Sequence, residues 1–179
     1  MEATLSEHIP CKIRIIGSVG SGKTTLARKL SAKLRIPYYE LDNVVWKRHV
    51  PKDIRRADEE RNQLFNHMMQ TNAWIIEGSH FSEWVFPSFH LADCIIFLDT
   101  NVSIRKYRIV RRYMLQLLKL EKSNYKPTFD IFKNMFVWNH GFEHQIKPKV
   151  QDLLRQYDRK SVTIRNSYDL TCFLNSFEN

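Results

Sequence analysis

Short apolar runs alternate along the chain with longer segments in which apolar side chains recur every three or four positions. Runs of the first kind are typical of strands that are buried on both faces of a parallel sheet. Segments of the second kind are typical of helices that bury one face. The pattern predicts five strands, at residues 12–16, 38–41, 74–77, 94–98 and 161–164.

Between these strands, apolar residues recur at the spacing of a helix. One helix is predicted directly after the first strand, a second covers residues 57–69, and a third starts near residues 99–103. Asp99, Thr100 and Asn101 are the candidate caps of the third helix. Strands that alternate with helices imply an α/β fold: an open parallel sheet with right-handed crossovers and helices on both faces. Ligands of such sheets lie beyond the carboxyl ends of the strands.

The size and composition of the chain fit one such sheet. A chain of 179 residues with 43% hydrophobic residues can bury one core, so we expect a single domain over residues 1–179, with residues 115–157 as a helical lid or insert. There is no apolar run of about 18 residues and no secretory leader, so we expect a cytoplasmic protein without a membrane span. Cys11, Cys94 and Cys172 have no C-x-x-C spacing and are expected to be buried free thiols.

The segment GSVGSGKTT fits the phosphate-binding pattern G-x-x-x-x-G-K-[ST]. Glycines allow successive backbone N–H groups to turn towards an anion, and the following helix directs its positive dipole end to the same place. Lys23 is the expected partner of the β- and γ-phosphates of ATP, and the Thr24 hydroxyl is the expected ligand of Mg²⁺. The predicted ATP-binding set is Gly17, Ser18, Val19, Gly20, Ser21, Gly22, Lys23, Thr24 and Thr25.

Carboxylates follow three of the predicted strands, as Asp42, Glu77 and Asp99. Near a P-loop, a carboxylate can hold Mg²⁺ through water, or it can orient and deprotonate the hydroxyl that attacks the γ-phosphoryl group. We interpret Asp42 and Glu77 in this way, and we expect Gly78 to permit close backbone approach to a ligand. Asp99 is interpreted as a helix cap.

The segment SIRKYRIVRRYMLQLL predicts a basic helix with two different faces. At about 100° per residue, Arg105, Arg108 and Arg112 fall together on one side. These arginines form either a solvated helix face or a stripe that contacts phosphate, and the lack of an acidic side chain before Glu121 favours phosphate contact. The opposite side carries Tyr107, Val110, Met114, Leu117 and Leu118.

The net charge of +9 and the pI of 9.6 fit either a surface for nucleic acid or a cationic pocket for phosphorylated small molecules. The sequence contains no helix-turn-helix, zinc-finger or RNP motif, and composition alone leaves both partners open.

The stretch HGFEH at residues 140–144 fits H-x-x-E-H, a pattern of some zinc peptidases. It has no evident third ligand, so we interpret it as a surface helix or a phosphate contact.

The chain resembles the P-loop kinases of small metabolites, the adenylate kinase and shikimate kinase group. The resemblance rests on the loop, the ELD after the second strand, the WIIEG of the third strand, and ADCIIFLD followed by RKYRIVRR. The chain is most similar to a branch named DNA topology modulation proteins. This resemblance implies the strand order 2-3-1-4-5, ATP on the P-loop and an arginine-bearing lid after the fourth strand. It implies that Asp42 binds or deprotonates the acceptor and that Glu77 holds the magnesium shell. Arg108 and Arg112 match the lid pair.

Two functions follow as alternatives. The first is an ATP- and Mg²⁺-dependent kinase that acts on a small hydroxyl or phosphate acceptor, for which a nucleoside or nucleotide is favoured. The second is a nucleotide-binding regulator that contacts DNA through its basic surface. The stretch EGSHFSEW lacks the arginine with which adenylate kinases grip an acceptor phosphate, which argues against AMP. Either function is compatible with a monomer or a homodimer.

Overall fold

The computed structural model describes residues 9–48, 53–121 and 127–177. Its centre is a five-stranded parallel sheet with the order β2-β5-β1-β6-β7, next to a two-stranded antiparallel hairpin, β3-β4. The strands are β1 (Lys12–Gly17), β2 (Tyr38–Glu40), β3 (Trp46–Lys47), β4 (Ile54–Arg55), β5 (Trp74–Glu77), β6 (Cys94–Leu98) and β7 (Ser161–Ile164). Numbered within the sheet alone, this order is 2-3-1-4-5, so the predicted order is confirmed.

The helices lie on both faces of the sheet, as predicted. They are α1 (Lys23–Leu34), α2 (Leu41–Val45), α3 (Asp58–Met69), α4 (Phe86–Leu91), α5 (Val102–Leu117), α6 (Phe129–Gly141), α7 (Lys147–Gln156) and α8 (Ser167–Asn175). A π-helical turn, Phe142–Ile146, joins α6 to α7. The hairpin and the short helices α2 and α4 were not predicted.

Two hydrophobic clusters cover the two faces of the sheet. In β5, Trp74 and Ile76 pack in one cluster while Ile75 packs in the other. This alternation explains why the strands read as continuous apolar runs. Val150 and Leu154 of α7 pack in the same cluster as Trp74, so the C-terminal part of the predicted lid or insert contributes to the core. The EKSNYKP stretch of that segment lies largely outside the described residues.

The basic helix α5 packs with its arginine side inwards. Arg105 and Ile109 are buried, whereas Tyr107, Met114 and Leu118 are 67%, 51% and 63% exposed. Of the other two stripe arginines, Arg112 is half-buried and Arg108 is exposed, so the stripe is only partly withdrawn from solvent. The apolar opposite side of α5 faces solvent, because the arginine side lies against the P-loop and α6.

Three expectations about single residues need correction. Asn101, not Asp99, caps α5, since its side chain accepts a hydrogen bond of 2.8 Å from the backbone N–H of Ser103. Asp99 instead pairs with Lys147 Nζ at 2.7 Å. Cys94 is buried, but Cys11 and Cys172 are exposed. In the part of the chain that the structure describes, no helix is long and apolar enough to cross a membrane.

Candidate active site

The loop of residues 17–25 connects β1 to α1 and has the backbone shape that its glycines permit. Gly20 and Gly22 have φ angles of 76° and 101°, in the region that favours glycine. A Cβ on Gly17 would lie 2.8 Å from Ser21 Oγ and 2.9 Å from the carbonyl oxygen of Leu98. Each motif glycine therefore has a steric reason to be glycine, and the N-terminus of α1 is left open towards an anion.

Lys23 folds back over this loop. Its Nζ donates a hydrogen bond of 2.9 Å to the carbonyl oxygen of Ser18. Burial lowers the pKa of Lys23, and the negative charges of Glu77 and Asp42 oppose that change. The ammonium group thus lies against the P-loop backbone, where the charges of both carboxylates act on it.

Thr24 and Glu77 meet directly. The Thr24 hydroxyl donates a hydrogen bond of 2.5 Å to Glu77 Oε1 at the buried end of β5. Hydroxyl and carboxylate oxygens are hard donors of the kind that Mg²⁺ prefers, and Mg²⁺ is commonly held by one or two carboxylates together with phosphate and water. The described residues contain no group of three or more His, Cys, Asp or Glu side chains that could hold a metal ion. The hydroxyl of Thr24 and the carboxylate of Glu77 supply two oxygens of the kind that such a magnesium site uses.

Helix α5 lies against the outer side of the P-loop. Arg108 Nη1 donates hydrogen bonds to the carbonyl oxygens of Ser21 at 3.0 Å and Gly20 at 3.4 Å. A Cβ on Gly20 would lie only 2.8 Å from the carbonyl oxygen of Arg105, so the two backbones touch. The three arginines of the predicted stripe therefore have different surroundings.

Arg105 and Arg112 make contacts of their own. Arg105 forms an ion pair with Glu143, so its role is structural. Arg112 Nη2 lies 3.1 Å from Met135 Sδ. After burial, the positive charge of Arg112 is a further cause of the lowered pKa of Lys23.

Asp42 lies in the first turn of α2 and not at the end of a strand, because β2 stops at Glu40. Its Oδ1 is 3.0 Å from Nε2 of His80, a residue that the sequence did not single out. Desolvation raises the pKa of Asp42, but the His80 hydrogen bond and the charges of His80 and Lys23 outweigh it, so the pKa lies below its ordinary value. Asp42 is therefore ionised at neutral pH.

Comparison with known proteins agrees with this geometry. Residues 13–124, more than half of the chain, match the AAA_18 family, described as an AAA domain. The chain belongs to the AAA_18 family. No curated protein sequence matches it significantly.

Solved structures similar to this AAA_18 protein include three shikimate kinases. The enzyme from Acinetobacter baumannii in complex with shikimate has 16% identity and a TM-score of 0.54, over 99% of this chain and 97% of that one. The enzyme from Bacteroides thetaiotaomicron has 14% identity and a TM-score of 0.52, over 95% and 99%. The enzyme from Aquifex aeolicus vf5 has 17% identity and a TM-score of 0.50, over 93% and 96%. At these identities the likeness shows a shared fold, and the predicted P-loop fold is confirmed.

Sequence reasoning missed a second support of the P-loop in this AAA_18 protein. Ser18 Oγ donates a hydrogen bond of 2.9 Å to Oδ1 of Asn139, which is buried in α6. The two residues are 121 positions apart, and no local pattern links them. The structure also explains Gly78 differently from the sequence, since a Cβ there would lie 2.8 Å from Leu41 Cβ. Gly78 is thus required by packing against α2.

Proposed function

We propose that this protein is an ATP- and Mg²⁺-dependent phosphotransferase that moves the γ-phosphoryl group of ATP to a small acceptor. The observation that carries the proposal is the geometry of the P-loop, in which Lys23 Nζ lies 2.9 Å from the carbonyl oxygen of Ser18 while the Thr24 hydroxyl lies 2.5 Å from Glu77 Oε1. A phosphate-binding lysine next to a hydroxyl–carboxylate pair of the kind that holds Mg²⁺ supports phosphoryl transfer.

Each residue has a role in this proposal. Lys23 and the backbone of residues 17–25 bind the ATP phosphates, and Thr24 and Glu77 hold Mg²⁺. When bound, Mg²⁺ supplies positive charge that offsets the charge developing on the phosphate oxygens. Arg108 and Arg112 add charge from the α5 side, and Asp42 orients the acceptor and takes its proton.

The finer assignment follows the resemblance seen in the sequence. We propose that the acceptor is a nucleoside, a nucleotide or another small hydroxyl compound, and that the chain is related to the DNA topology modulation branch. The net charge of +9 supports the alternative of a nucleotide-binding regulator that contacts DNA. The two proposals differ in whether turnover depends on a small acceptor.

A screen for acceptor-dependent ADP release tests the proposal. The purified chain is incubated with ATP, Mg²⁺ and single nucleosides, nucleotides or sugar-like hydroxyl compounds. We expect at least one acceptor to raise ADP release, and we expect Lys23→Ala to abolish that increase. ATP binding without any acceptor-dependent release, together with salt-sensitive DNA binding, would support the regulator instead.

A further inference from the structure

Thr100, the second residue after β6, contacts the side of the P-loop that faces α5. Its Oγ1 donates a hydrogen bond of 3.1 Å to the carbonyl oxygen of Ser21, 79 positions earlier in the chain. Ser21 is buried and Thr100 is half-buried. Asn101 caps α5, so the Thr100 hydroxyl is not used for capping. The contact with the P-loop is therefore the bond that this hydroxyl donates.

The carbonyl of Ser21 has no backbone partner among the described residues. The backbone bond that opens α1 runs from the Leu26 N–H to the carbonyl oxygen of Gly22 at 3.0 Å, so the helix does not use the Ser21 carbonyl. The carbonyl of Ser18 differs in this respect. It accepts from the Ser21 N–H at 3.2 Å and from Lys23 Nζ at 2.9 Å, both within the loop region itself. The Ser21 carbonyl thus depends on side chains from outside the loop.

In the part of the chain that the structure describes, two side chains supply these bonds. One is Thr100 at 3.1 Å and the other is Arg108, whose Nη1 lies 3.0 Å from the same oxygen. Arg108 is exposed and has a long side chain with many rotamers, whereas a β-branched threonine is stiff at χ1. Of the two donors, Thr100 is the more firmly fixed. It can satisfy the Ser21 carbonyl even when Arg108 turns to a phosphate.

The direction of the Ser21 carbonyl also sets the direction of the next N–H. In a trans peptide, the C=O and the N–H of one peptide unit point in opposite directions. Because the Ser21 carbonyl points to Thr100, the N–H of Gly22 points away from Thr100. This N–H makes no hydrogen bond with any described residue. It lies at the N-terminus of α1, where unpaired N–H groups bind anions.

We propose that Thr100 is a positioning residue for ATP: by holding the Ser21 carbonyl, it keeps the N–H of Gly22 directed at the phosphates. This inference rests on the proposed phosphotransferase function, since it requires that phosphate binds in the P-loop. Thr100 acts through the peptide between Ser21 and Gly22 and does not touch the nucleotide. Its role differs from that of Arg108, which brings charge to the transferred group.

Two substitutions of Thr100 test this inference. Thr100→Val removes the hydroxyl and keeps the shape of the side chain, while Thr100→Ser keeps the hydroxyl. The affinities of a fluorescent ATP analogue and, by competition, of inorganic triphosphate are measured on the full-length chain. We expect Thr100→Val to weaken both at least about fivefold and Thr100→Ser to stay within about twofold of wild type. An affinity of Thr100→Val within about twofold of wild type, or equal losses in the two variants, would overturn the inference.

A matched control separates positioning from general loss of stability. Thr71 Oγ1 donates a hydrogen bond of 2.8 Å to the carbonyl oxygen of Met68, before the amino end of β5 and at the opposite edge of the sheet from the P-loop. Thr71→Val removes a comparable bond, and we expect it to bind both probes as wild type does. The same loss of affinity in Thr71→Val and Thr100→Val would contradict a specific role for Thr100.

Circular dichroism measures the fold of each variant. If Thr100→Val does not fold, Thr100→Ala provides the same comparison with Thr100→Ser. The proposed function and this inference fail in different ways. A wild-type chain that binds neither the ATP analogue nor triphosphate contradicts the phosphotransferase proposal and the inference with it. A wild-type chain that binds both, with a folded Thr100→Val variant that binds them equally well, contradicts only the inference.

Discussion

Lys23 is half-buried and its Nζ is hydrogen-bonded to the carbonyl oxygen of Ser18, so its ammonium group is held where phosphate is expected to bind. The sequence predicted this lysine because the P-loop pattern is a local backbone requirement, and Gly17, Gly20 and Gly22 satisfy it. His80 could not be predicted in the same way. Its importance depends on Asp42, which is 38 positions away and comes close only when the sheet forms.

Replacing Lys23 tests the phosphate-binding role. We expect Lys23→Ala to abolish ATP binding while the chain remains folded, because the lysine lies in a preformed loop and contributes little to the core. Binding of a fluorescent ATP analogue measures the loss, and circular dichroism measures the fold. Lys29→Ala, an exposed lysine on the same helix, is the control and should bind the analogue normally.

The planar guanidinium of Arg108 is tested by a change that keeps the charge. We expect Arg108→Lys or Arg112→Lys to lower turnover at least about tenfold, equivalent to about 1.4 kcal/mol, because an ammonium cannot reproduce the donor geometry of arginine. Arg111→Lys, on the exposed side of α5, should have little effect. Full turnover in both the Arg108 and the Arg112 variant would remove these arginines from the mechanism.

Thiol reactivity distinguishes the three cysteines. Burial, with a smaller contribution from Asp93, raises the pKa of Cys94 to about 12, so at about pH 8 it is a protonated, inaccessible thiol. Cys11 and Cys172 are exposed. We expect a thiol-specific chromogenic reagent to modify two cysteines in the native protein and the third only after unfolding. Rapid modification of all three under native conditions would contradict the burial of β6.

At the scale of elements, helix α5 shows where periodicity is informative and where it is not. The pattern correctly separated an arginine side from an apolar side. Which side packs inwards depends on the residues that α5 contacts, and periodicity carries no information about those contacts. Here the neighbours are the P-loop carbonyls, which Arg108 contacts, and Glu143, which pairs with Arg105. Such partners outweigh the usual tendency of an apolar face to be buried.

Paired alanine substitutions test the orientation of α5. We expect Ile109→Ala to lower the free energy of unfolding by about 2–5 kcal/mol, because Ile109 is fully buried. Met114→Ala on the opposite side should change it by no more than about 0.5 kcal/mol. Urea denaturation of both variants measures the difference. A large loss in Met114→Ala with a small loss in Ile109→Ala would mean that the helix packs with its other side inwards.

At the scale of the whole molecule, the five apolar strands were predictable because a parallel sheet covered on both faces leaves a continuous apolar run in each strand. The hairpin β3-β4 was not predictable, since each of its strands has only two residues, too few to show a periodic pattern. The sheet brings the P-loop and Glu77 together at its carboxyl edge, as predicted from the strand ends. No sequence pattern indicated that side chains of α5 and α6 contact the P-loop.

The overall positive charge also gives a test. If binding of ATP takes place in the P-loop, its affinity should depend weakly on salt, whereas any DNA affinity that arises from the net charge of +9 should fall linearly with the logarithm of salt concentration. Titrations of both ligands between low and high salt compare the two slopes. DNA affinity that persists at high salt would indicate specific recognition by this surface.

The hydrogen bond between Ser18 and Asn139 can form only late in the synthesis of the chain. The complete P-loop motif leaves the ribosome early, but its partner in α6 is synthesised 121 residues later, and the edge strand β7 later still. A nascent chain that ends at residue 124, where the family match ends, contains every residue of the phosphate loop but not Asn139. The P-loop therefore reaches its final hydrogen-bonded form only after α6 has been synthesised, and residues 1–124 alone lack this support.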